Sequence, residues 1–64
     1  MKRYRVHEYT DNGKRNVCCR AFESDASALA EAGWWLHSWQ ANVFVEPNGN
    51  VGQVIVAVYA KEDD

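Results

Sequence analysis

The chain has 64 residues, 47% of them hydrophobic and 25% charged, with a formal net charge of −2. That composition describes one globular domain near the lower size limit for a core held without metals or cross-links. It argues against a general nucleic-acid binder on charge and against a membrane span, for which no apolar run of about 18 residues exists. A disulfide framework or cysteine-rich zinc site is excluded, because the only two cysteines, Cys18 and Cys19, are adjacent.

The basic start, Met1-Lys2-Arg3-Tyr4-Arg5-Val6-His7, has no apolar region or small-residue cleavage site behind it. It does not read as a signal peptide, and the expected location is the cytoplasm. Residues 2–10 and 16–23 alternate as strands do, and Asp11-Asn12-Gly13-Lys14 between them carries the Asn-Gly signal of a two-residue hairpin. Pairing outward from that turn sets Val6 opposite Cys19, Tyr4 opposite Ala21 and Glu8 opposite Val17 on a core-facing side. Arg5 opposite Arg20, His7 opposite Cys18 and Arg3 opposite Phe22 make the other, cationic side.

Ser24 and Asp25 are good N-caps, and the Ala-rich run after them predicts a helix reaching about Gln40. On that helix Ala28, Leu29, Ala32, Trp35, Leu36 and Trp39 form one apolar stripe, so Trp35 and Trp39 are expected to fill the core. Trp34 falls out of phase, beside Ala30 and His37, and is expected to be an exposed contact residue. Gly33, costly inside a helix, marks close packing or a kink. A strand at 42–46 and a turn at Pro47-Asn48-Gly49-Asn50 follow. The run from Gln53 to Ala60 is apolar on both faces and belongs in the middle of a sheet.

The expected fold is therefore α+β, in the order ββαββ, with a four-stranded, mainly antiparallel sheet and one helix on one face. One helix covers one side. The other should display Arg3, Arg5, His7, Tyr9, Arg20 and Phe22, the composition of an interface and a surface for self-association. Arg5 facing Arg20 would be relieved by an anionic partner, for which phosphate and a carboxylate-rich protein surface serve equally. Aromatics beside arginines also fit a single-stranded nucleic-acid platform.

Catalysis is not expected: neither His7 nor His37 sits in a nucleophile–base or metal-ligand pattern. A structural cysteine outweighs a reactive one at Cys18 and Cys19, and no metal or cofactor is implied.

The hairpin Tyr4-Arg5-Val6-His7-Glu8-Tyr9-Thr10-Asp11-Asn12-Gly13-Lys14, the Ala-rich helix after Ser24-Asp25 and the final hairpin resemble, in size and element order, the small phage-encoded anti-CRISPR proteins that block type I surveillance complexes. The resemblance carries over no functional residue. It implies a non-catalytic inhibitor in the host cell cytoplasm that binds a Cas subunit and obstructs DNA recognition or nuclease recruitment. The alternatives are a nucleic-acid-binding regulator and, from a looser similarity of the first hairpin and helix, an antitoxin-like protein. The expected partner contacts are Trp34, His37, Arg3, Arg5, His7, Tyr9, Arg20 and Phe22.

Overall fold

Cys18, Phe22, Asp25, Ala26 and Leu29 recur at spacings of three and four, the period of a helix with one buried stripe. In the computed structural model, which describes residues 1–11 and 17–63, that stripe belongs to α1 (Val17–Glu31), lying between β1 (Lys2–Asp11) and β2 (Trp35–Val45), with β3 (Val51–Glu62) last. The architecture is α+β, with one helix and a three-stranded antiparallel sheet in the order β1-β3-β2.

Several expectations are thereby corrected. Residues 17–23, read as the second strand of an opening hairpin, are the first turns of α1, so the order is βαββ and the four-stranded sheet becomes three-stranded. The expected pairings of Val6 with Cys19 and Arg5 with Arg20 do not form; Val6 pairs with Val58 and Arg5 with Tyr59. Most of the predicted Asp11–Lys14 turn lies outside the described residues. The helix also ends nine residues earlier than expected, and residues 35–45 are a strand.

Gly33 ends the helix. Its φ of 90° is the left-handed conformation that stops a helix, and two hydrogen bonds complete the motif: Trp34 N–H donates to the Leu29 carbonyl (2.9 Å) and Gly33 N–H to the Ala30 carbonyl (3.1 Å). At the other end, the buried Asp11 carboxylate accepts the Val17 N–H at 3.2 Å, satisfying one of the orphan donors of the first turn. β2 and β3 form a hairpin closed by Glu46 N–H to the Asn50 carbonyl and Gly49 N–H to the Glu46 carbonyl.

The expectation for the last run is met, since β3 lies between the other two strands and carries most of the buried residues. Ile55, Ala57 and Tyr59 face α1 and form the core with Tyr9, Cys18 and Leu29. On the opposite face Phe44 lies so close over Gly52 that any Cβ there would meet the ring and, at 2.7 Å, the Asp11 carbonyl oxygen. The molecule is long and thin, 49 × 18 × 11 Å, and its radius of gyration of 13.7 Å exceeds the roughly 11 Å expected of a chain this size. Among the described residues, no helix is long and apolar enough to cross a membrane.

Candidate functional site

Side chains alternate across a strand, so the register assigns every residue of β1 to a face. The odd positions Arg3, Arg5, His7, Tyr9 and Asp11 pair with Lys61, Tyr59, Ala57, Ile55 and Gln53 and turn toward α1. The even positions Tyr4, Val6 and Glu8 share the uncovered face with Ala60, Val58 and Val56. This reverses the expected sidedness. Its cause is chemical: on that side His7, Tyr9 and Asp11 find partners in α1, and Arg3 and Arg5 find Trp34.

Asp25 supplies the largest of these partners. Its Oδ2 accepts from Tyr9 Oη–H at 2.5 Å and from His7 Nδ1–H at 2.7 Å, and Tyr9 Oη lies 2.8 Å from the Oη of the fully buried Tyr59. The Tyr9 and His7 hydrogen bonds hold the Asp25 carboxyl below the usual aspartate range, against the opposing effect of burial. Burial, with help from Asp25 and Tyr59, drives the Tyr9 phenol far above its ordinary range. Tyr9 is thus a fixed hydrogen-bond donor in the core, and His7 a half-buried neighbour at its margin. Neither is the sheet-surface contact expected of it.

Arg3 and Arg5 also turn to the helix side, where they meet Trp34. The guanidinium carbons lie 5.6 and 5.3 Å from the indole centroid, and Lys61 Nζ lies at 5.9 Å, all within cation–π range. Arg3 is tied further to Asp63 by Nε at 2.9 Å and a second nitrogen at 3.3 Å. Trp34 is half-buried against the core, while Trp35 and Trp39 are 42% and 57% exposed. The expected roles of the three tryptophans are therefore exchanged. Because residues 35–39 are a strand, the helical phase used to sort them does not apply.

Phe22 is on α1, its ring 5.4 Å from that of Tyr9 and 5.9 Å from that of Trp39, and it closes the core rather than facing outward. Arg20 is on α1 as well, exposed but not on the sheet. Burial pushes the Cys18 thiol up and its S–H donates to Gln53 Oε1 at 3.3 Å, which makes it a structural thiol. Among the described residues no three His, Cys, Asp or Glu side chains come together in a way that would hold a metal ion.

Of the expected contacts only His37 reaches the uncovered face. It is the extra residue of a bulge between Leu36 and Ser38, which turns its ring onto Tyr4 edge-on at 5.6 Å. Tyr4 and Trp35 flank Ala60, which is fully buried between them although it lies on the open side. Val6 is exposed next to them, and an open depression lined by Ser38, Trp39, Gln40, Val56 and Val58 follows along β2 and β3. Tyr4, Val6, His37 and Trp35 thus make one apolar and aromatic patch bordered by amides and a hydroxyl.

No family model matches this chain, nor does any curated protein or solved structure. The residues that sequence reasoning missed are Tyr4, Val6 and Trp35, all of which it assigned to the core. The available signal was Gly33: taken as a helix stop, it turns Trp35 and its successors into a strand and exposes both faces of that strand.

Proposed function

We propose that this chain is a non-catalytic binding protein that uses the uncovered face of its sheet to occupy a surface on a larger host complex. The observation that carries this reading is the patch of Tyr4, Val6, Trp35 and His37. Tyr4 is 55% exposed and Val6 66%, and aromatic side chains next to an aliphatic one, with polar groups at the rim, are the make-up of an interface centre. In line with the resemblance to small anti-CRISPR proteins, we take the complex to be a type I CRISPR effector and the effect to be blocked DNA recognition or nuclease recruitment.

Transformation of a targeted plasmid into cells with an active type I system tests this. Expression of the protein should restore transformation, and Val6→Glu combined with Tyr4→Glu should abolish the effect while leaving the circular dichroism spectrum unchanged. If the wild-type protein leaves interference intact, the inhibitor reading is wrong.

A second reading, a nucleic-acid-binding regulator, rests on the three cations around Trp34. It differs in its response to salt: single-stranded DNA would quench Trp34 fluorescence with an affinity that falls steeply as salt rises. An absence of quenching at low salt removes it.

A further inference from the structure

The two edges of the sheet are built very differently. Edge strands offer a row of unpaired backbone groups, and proteins guard them with charge, proline, bulges or a covering element. β1 is guarded by Lys2, Arg3, Arg5, Glu8 and Asp11, whereas β2, from Trp35 to Val45, contains no charged residue at all. Along β2 every residue except Phe44 is exposed, and on its helix side Trp39 is 57% and Val43 69% exposed.

We propose that the protein is a homodimer in which the outer edges of two β2 strands pair antiparallel about a two-fold axis at Ala41, giving one continuous six-stranded sheet. The position of the axis follows from the strand itself. Regular pairing is interrupted at one end by the bulge at His37 and at the other by the turn after Val45, and Ala41 is the midpoint of the stretch between them.

With Ala41 facing its own copy, Trp39 lies opposite the second copy's Val43 on the helix side, an aromatic to β-branched pair of the kind that stabilises antiparallel strands. On the open side Gln40 lies opposite Asn42, two amides that can donate to and accept from each other. Ala41 is the smallest residue of the strand, which leaves room at the axis for the two indoles beside it.

The symmetry also limits the assembly. Edge-to-edge pairing of β2 with itself is isologous and closes at two copies, while the charged β1 edge discourages the open-ended pairing that would make a fibre. Among the described residues the core cluster holds six buried side chains, small for independent stability, and the dimer would cover Trp39 and Val43. This interface is distinct from the open face, which the pairing leaves free and doubles in width across the strands.

Sedimentation velocity and light scattering of the full chain over a concentration series test the proposal. The expected mass is twice 7.3 kDa, and a monomer at every concentration overturns it. Val43→Lys should weaken the dimer by at least about tenfold, as expected for a residue at an interface centre. Val6→Lys, on the open face, should leave the dimer intact; dissociation by Val6→Lys but not by Val43→Lys would move the interface to the open face and refute edge pairing. In a Cys19→Ser background, Ala41→Cys should oxidise to a covalent dimer, because facing residues of paired strands lie within disulfide reach. A dimer by mass that forms no such cross-link refutes the axis at Ala41, and this readout holds even if the lysine variants fail to fold.

Discussion

Asp25 shows how a single carboxylate organises this fold. It sits inside α1, accepts hydrogen bonds from His7 and Tyr9 of β1, and so fixes which face of that strand turns inward. Because these bonds favour its ionised form, its native pKa is depressed. The stabilisation is then fully present above the ordinary aspartate pKa of about 3.9 and is lost as pH falls through the lower native value. Thermal midpoints measured from roughly pH 6 down to pH 2 should fall steeply in that acid range for the wild type. Asp25→Asn should be less stable near neutrality and show a shallower acid limb. An identical pH profile for the two proteins would mean that the carboxylate contributes nothing. The fully buried Tyr59 extends the same arrangement from β3 through its hydroxyl contact with Tyr9.

At the scale of elements, Gly33 matters most. Any L-amino acid at its φ of 90° is strained by about 1–2 kcal/mol, and Gly33→Ala should lower the thermal midpoint by roughly 4–8 °C per kcal/mol lost in a domain of this size. Calorimetry of the variant checks this; an unchanged midpoint would show that the helix end is not held by that conformation. The same glycine explains how much of the architecture the sequence disclosed. β1, the turn at 47–50 and the central position of β3 were legible, because period-two alternation, turn chemistry and a doubly apolar run are local signals. The helix boundaries were not. Asn12-Gly13 advertises a hairpin, and the stretch from Val17 to Glu23 alternates well enough to pass for a strand, while the alanines that follow draw the helix too far along the chain. The spacing of Cys18, Phe22, Ala26 and Leu29 was the competing signal, and tertiary burial decided in its favour. Once the helix moves, every face assignment moves with it. That is why Trp34 exchanged places with Trp35 and Trp39, and why Tyr4 and Val6, rather than Arg3 and Arg5, lie on the uncovered side.

At the scale of the molecule, the fold is a thin sheet with one helix, and its two ends differ in character. At one end the cations of Arg3, Arg5 and Lys61 surround Trp34; at the other the β2–β3 hairpin ends in Pro47, Asn48 and Gly49. Between them the open face and the β2 edge are separate surfaces, so occupation of one leaves the other free. The cationic end is also where the chain's extremities meet: the Met1 ammonium donates to the Asp63 carbonyl at 2.7 Å, and Asp63 N–H returns a bond to the Met1 carbonyl at 2.9 Å. In polymer terms the native fold already closes the loop between Met1 and Asp63 without a covalent link. Closing this 64-residue chain head to tail through a short linker should therefore stabilise it by up to about 4 kcal/mol on the loop-closure scale, less what the Met1 ammonium contributes through Asp63 and Glu62. A cyclised chain with the same denaturation midpoint as the linear one would contradict this. Cyclisation would also turn the β1–β3 pairing, which now joins the two ends of the sequence, into a second hairpin.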